Sequence, residues 1–107
     1  MTNSDDGGRY RVVWPRSERQ LQPQPLAQRV DTLSGKTVAQ LWDYVFRGDE
    51  VFALLEQHLE ARFPNVRFVS WREFGSTHGG QEREILASLP RRFEELGVDA
   101  VISGMGC

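Results

Sequence analysis

From Lys36 onward the apolar positions alternate between short strand-like runs and longer helix-like stripes. Lys36 to Trp42, with Val38 and Leu41 as its apolar members, follows the turn pair Ser34-Gly35 and reads as a strand. Gly48-Asp49 then supplies a break followed by an N-cap. After it Phe52, Leu55, Leu59 and Phe63 recur at helical spacing, with Val51 and Leu54 widening the stripe and His58 at its boundary. This amphipathic helix ends before Pro64-Asn65. Val66 to Trp71 alternates with period two and is a second strand, and the polar stretch Gly75 to Gly80 is a loop. A second helix begins at Glu82 with Ile85, Leu89, Phe93 and Leu96 on one face; Pro90 either kinks it or divides it, and Gly97 stops it. Val98 to Ile102 is a third strand, apolar enough to be buried on both faces.

Strands alternating with helices predict an α/β fold, a three-layer Rossmann-like βαβαβ unit with a parallel sheet. The pattern leaves the strand order open. No helix follows the third strand, so the unit reads as an incomplete half-domain. Residues 1–35 are different in kind: Gln20, Gln22, Gln24 and Gln28 are interleaved with Pro15, Pro23 and Pro25, and such a stretch buries too little to offset its ordering entropy. It reads as an extended arm. Within it Tyr10-Arg11-Val12-Val13-Trp14 is strand-like, either adding to a sheet edge or clamping a partner. The α/β domain then comprises residues 36–107, near the lower limit of size for unaided folding.

Composition narrows the partners. The chain of 107 residues has 39% hydrophobic and 26% charged residues, a soluble globular balance. A net charge of -2 gives no general pull toward nucleic acid or anionic lipid. No apolar run approaches the roughly 18 residues of a membrane span, and the first residues carry no targeting pattern, so the expected location is cytoplasmic. The single cysteine, Cys107, makes no internal disulfide.

In a parallel α/β sheet, ligands bind beyond the carboxyl ends of the strands. That rule selects Asp43 to Gly48, Glu73 to Gly80 and Ser103 to Cys107, which are expected to line one crevice. Cys107 follows a glycine-rich turn where a helix would normally start. There it is either a thiol activated by amides and macrodipole or a frayed terminal residue. His78, between Thr77 and Gly79, is either a general base or ligand in the crevice or a solvated loop histidine. Arg47 either holds a carboxylate or phosphate group or forms a surface ion pair, while Asp43 stands beside it in the same loop. Gly35-Lys36-Thr37 lacks the glycine and preceding strand of a phosphate-binding loop. No His or Cys pair has metal-ligand spacing, and neither a cofactor nor a metal is predicted.

The segment Asp99-Ala100-Val101-Ile102-Ser103-Gly104-Met105-Gly106-Cys107 resembles the UGSC-motif family, in which a strand runs into a Gly-x-Gly-x turn followed by selenocysteine or cysteine and then Gly-Ser-Cys. Gly35-Lys36-Thr37-Val38, Trp42 to Asp49 and Phe74 to Gly79 look like that family's first strand, first loop and second loop. The resemblance spans residues 33–107, about the N-terminal half of such a protein. Cys107 falls on the variable position just before the reactive residue.

The resemblance implies thiol or selenol chemistry, redox or nucleophilic, on a small-molecule substrate. Cys107 would neighbour the reactive group, Ser103, Gly104 and Gly106 would shape an anion-binding turn of backbone amides, and Asp43, Arg47 and His78 would contact substrate. Selenocysteine is encoded by a codon ordinarily read as stop, so the expectation is that the frame continues into the reactive motif. The alternative is a non-catalytic small subunit or interaction domain, with a second chain or another copy completing the sheet.

Overall fold

The computed structural model describes residues 10–13 and 22–106. Strands β1 (Thr37–Trp42), β2 (Arg67–Val69) and β3 (Ala100–Gly104) form a parallel sheet in the order β2-β1-β3. Helix α1 (Gly48–Arg62) links β1 to β2, and helix α2 (Glu82–Leu96) links β2 to β3. The register pairs Val38, Gln40 and Trp42 of β1 with Ala100, Ile102 and Gly104 of β3, so each set shares one face of the sheet.

That face meets α1. Gln40, almost fully buried in mid-strand, donates from Nε2 to Glu56 Oε1 of α1 at 3.0 Å and accepts the Trp71 N–H at 3.3 Å, so a polar side chain in the central strand is satisfied by two neighbouring elements. The opposite face carries Ala39 and Leu41, which pack with Phe74 and with Leu89 of α2, joined by Val69, Phe93 and Val98. The helices therefore cover opposite faces of the sheet, giving three layers. The first crossover runs from β1 to β2 and the second back from β2 past β1 to β3, with their helices on opposite faces, so both have the same hand, the arrangement of an incomplete Rossmann-like half-domain.

Several local expectations change. β2 is shorter than the alternation of residues 66–71 suggests, because the Ser70 hydroxyl accepts the Arg72 N–H at 3.2 Å and starts a 3-10 turn over Trp71–Glu73. The N-cap of α1 is Arg47, with no side-chain cap bond, and Asp49 instead lies in the first turn, where its charge complements the helix dipole. Val51, Leu54 and His58 are exposed, leaving Phe52 as the buried anchor of α1. Pro90 does not divide α2; both it and Leu86, whose carbonyl its missing N–H would have met, are on the exposed side of the helix, where water can serve that carbonyl. Gly97 ends α2 as expected, with φ 66°, while the Gly97 and Val98 N–H groups return to the Glu94 and Phe93 carbonyls.

The largest correction concerns β3. It lies at the edge of the sheet, and its burial alternates, with Val101 42% exposed and Ser103 also exposed on the face away from α1. α2 packs over β1 and β2, so an apolar sequence alone did not bury this strand on both sides. Of the strand-like segment in the arm, Tyr10 to Val13 is exposed and has no strand partner among the described residues, and Trp14 and Pro15 lie outside them. Among the described residues no helix is long and apolar enough to cross a membrane.

Candidate active site

The chain leaves β1 toward β2 on one side and returns to β3 on the other. The boundary between β1 and β3 is thus the point where the winding reverses, and doubly wound sheets open a crevice there beyond the carboxyl ends of their strands. The loop after β1, the loop after the 3-10 turn and the turn after β3 meet at this place, and they meet on one residue.

That residue is Asp43, which is 3% exposed. Its N–H donates to the Gly104 carbonyl at 3.3 Å, which carries the β1–β3 pairing one step past the strand. Its main-chain carbonyl accepts from the Ser76 hydroxyl at 3.2 Å. In the carboxylate, Oδ2 accepts the Gly106 N–H at 2.7 Å and Oδ1 accepts the Val45 N–H at 3.1 Å, the latter closing an Asx turn. The Gly106 hydrogen bond draws the carboxyl pKa below its ordinary 3.8; burial opposes this, and the Val45 N–H and the nearby charge of His78 reinforce it. The group is therefore an ionised carboxylate at neutral pH.

The second loop is tied in by backbone as well as side chain. Trp42 and Ser76 form a parallel bridge, and the Thr77 N–H donates to the Trp42 carbonyl at 3.0 Å. The Ser76 hydroxyl also lies 2.6 Å from the His78 carbonyl and accepts the His78 N–H at 3.1 Å, so its one proton is shared between the Asp43 and His78 carbonyls. His78 itself is exposed at the rim.

The third segment approaches so closely that side chains are excluded. A Cβ on Gly104 would lie 2.9 Å from Phe46 Cζ and 3.1 Å from Phe52 Cζ, and one on Gly106 would lie 3.0 Å from Phe46 Cδ1 and 3.2 Å from Val45 Cβ. Both glycines thus let the β3 turn lie flat on the β1 loop. Ser103 sits opposite Leu41 on the exposed part of β3. Arg47 is on the surface, its guanidinium 3.9 Å from Glu50, which is the ion-pair alternative for this residue. Cys107 lies outside the described residues.

A family model described as the UGSC family matches residues 11–107. The chain belongs to the UGSC family. The match begins well before residue 33 and takes in most of the segment read from composition as an arm. No curated protein and no solved structure matches the chain.

In this UGSC-family chain the structure brings Asp43, Gly104 and Gly106 together and links His78 to them through Ser76, with Val45 and Phe46 packed beside them. In the sequence Ser76 is one more polar residue in a glycine-rich loop, and Val45 and Phe46 are apolar residues that follow no periodic pattern. Tyr44 carried a signal only in three dimensions: it adopts φ 65°, a left-handed conformation costly for an aromatic residue. Its ring packs at 4.5 Å from Trp42 and 5.4 Å from Trp71, yet the residue stays 46% exposed beside Asp43. Trp42, Tyr44 and Trp71 form a cluster in which each ring meets the other two, and the buried Trp42 Nε1 has no hydrogen-bond partner among the described residues.

Proposed function

We propose that this chain supplies the N-terminal part of a UGSC-type enzyme that uses a thiol or selenol for redox or nucleophilic chemistry on a small molecule, the reactive Cys or selenocysteine motif lying just beyond residue 107. The observation that carries the reading is the meeting of the β3 turn with Asp43: the Gly104-Met105-Gly106 segment, which in the family resemblance leads directly into the reactive motif, emerges at the winding-reversal crevice and is bonded there to the loop after β1. Family membership supports the chemistry, and the crevice supports the place. In this reading Cys107 neighbours the reactive group, His78 and Arg47 contact substrate from the rim, Ser103 and Gly104 line the β3 side, and Asp43 holds the turn. Substrate enters over the exposed rings and side chains of Tyr44, Val45 and Met105.

The test is to sequence the transcript past the Cys107 codon and to measure the intact mass of the product in its native host. A selenocysteine or cysteine followed in frame by Gly-Ser-Cys, in a product larger than 12.3 kDa, is the expected result. A native product of 12.3 kDa with no such continuation would defeat it.

The open edge of β3 favours one other reading, a non-catalytic subunit whose sheet is completed by a second chain. Light scattering on the native product separates the two. A hetero- or homo-oligomer of the 12.3 kDa chain supports the subunit, and a longer single chain supports the enzyme.

A further inference from the structure

We infer that Tyr44 is the substrate-stacking residue of the crevice: a planar unsaturated group of the substrate, an aromatic or conjugated ring, lies on the open face of the Tyr44 ring with Val45 and Met105 beside it. This rests on the crevice being the substrate site, as proposed above, and adds the class of molecule that site takes.

The backbone singles out Tyr44. Where the described residues need a left-handed conformation, the chain uses glycine at Gly35, Gly75, Gly79 and Gly97, and at Asn65 an asparagine, whose short polar side chain tolerates it. At position 44 the same conformation, φ 65°, carries an aromatic ring instead. Such a cost is kept where a side chain must be held at a particular place. The ring contacts show which place. Trp42 lies 4.5 Å from Tyr44 at a tilt of 36°, close to stacked. Trp71 stands 4.7 Å from Trp42 and 5.4 Å from Tyr44, nearly perpendicular to both, so it flanks the pair; a ring capping the outer side of Tyr44 could not come this near to Trp42. The cluster therefore leaves open the Tyr44 face turned away from Trp42, and the residue is 46% exposed. Val45 and Met105 are exposed beside it: the Val45 Cβ lies 3.2 Å from where a Gly106 Cβ would stand, which brings the residue after Tyr44 against the turn that carries Met105. An open π face with an aliphatic and a thioether side chain next to it suits a planar, polarisable group, because offset stacking and sulfur contacts favour such a group over a saturated one. A patch of three side chains matches one ring and is far smaller than a protein interface, so its occupant is a small molecule.

The experiment titrates the 15N-labelled chain with phenol and with cyclohexanol, which share a hydroxyl and a carbon ring of the same size and differ in planarity. Phenol is expected to give saturable shifts at the Tyr44, Val45 and Met105 amides, with apparent affinity at least about fivefold above that for cyclohexanol. Tyr44→Phe should bind phenol within about twofold of wild type. Tyr44→Gly adopts the same backbone conformation without strain but lacks the ring, and should bind phenol at least about fivefold more weakly. The proposal is overturned by phenol giving no saturable shift in the wild type, by equal affinity for the two alcohols, by a folded Tyr44→Gly chain that binds phenol as well as wild type, or by a Tyr44→Phe chain that binds it no better than Tyr44→Gly. A shift of the same amides on concentrating the chain without probe overturns it too, since that would put a second copy on this face. If Tyr44→Gly does not fold, Tyr44→Asn is read in its place, and the wild-type ratio of phenol to cyclohexanol decides in any case. None of these readouts depends on turnover: absence of a thiol or selenol continuation would end the enzymatic reading and leave ring binding in place, whereas failure of phenol to bind would end the stacking role and leave that reading standing.

Discussion

β1 and β3 lie side by side in one sheet and have opposite fates. β1, Thr-Val-Ala-Gln-Leu-Trp, contains two polar residues, and all six of its positions are buried. β3, Ala-Val-Ile-Ser-Gly, has the more continuous apolar start, and its positions alternate between half-buried and exposed. The difference is position. β1 has a strand on each side and a helix layer on each face, whereas among the described residues β3 has one neighbouring strand, and only its α1-facing side meets the anchor Phe52. Hydropathy measures what a strand can tolerate; its place in the strand order decides what it gets.

Substitutions can test how sharp this contrast is. The largest effect is expected at Phe52, the buried anchor of α1, where Phe52→Ala removes the ring that packs near Gly104. A loss of about 3 to 5 kcal/mol in urea unfolding would fit, and a loss below about 1 kcal/mol would mean that α1 does not hold this face. Next, Val38→Thr places a hydroxyl at a position only 1% exposed on β1 and should cost about 1 to 3 kcal/mol by the same measurement. Gly104→Ala should cost about 1 kcal/mol, since the new methyl displaces the ends of the Phe46 and Phe52 rings rather than backbone.

Asp43 gives a pH-dependent arm to the comparison. Its pKa is lower folded than the ordinary 3.8, so the folded state binds fewer protons, and the stability this provides is full above that value and is lost as pH falls through the folded pKa. Wild type is therefore expected to lose more stability than Asp43→Asn on acidification from about pH 5 toward pH 2. Equal slopes for the two proteins in acid would show that the carboxylate does not join β1 and β3. The smallest effect belongs to Val101→Thr, the β3 counterpart of the Val38 change. Within about 0.5 kcal/mol of wild type is expected in the chain as described, because Val101 is 42% exposed. A cost equal to that of Val38→Thr would show that something covers this face in solution.

The crevice shows a similar division. Asp43, His78 and the glycines of the last turn were legible because they follow strand-like runs, and the rule that loops at strand ends hold ligands needs only the parallel sheet. What the residues did not disclose was their use of one another. A glycine-rich turn suggests free amides, and only coordinates show the Gly106 N–H already given to Asp43. Arg47 could equally have turned inward or outward from the sequence, and in the structure it pairs with Glu50 at the surface. The Ser70 hydroxyl ended β2 two residues early through a local bond that period-two alternation cannot register.

The order of apolar and polar residues by itself determined the three strands and two α-helices after residue 35 and their sequence, the stop at Gly97 and the parallel α/β class. These depend on local periodicity and on backbone conformations that few residues other than glycine adopt readily. The tertiary structure alone decided that β1 is central and β3 an edge, that Pro90 is tolerated, and that three loops are fastened through one aspartate, two by its carboxylate and one by its main-chain carbonyl. Each of those outcomes depends on which segments, far apart in the chain, come to lie within a few ångströms, and a linear pattern does not encode that distance.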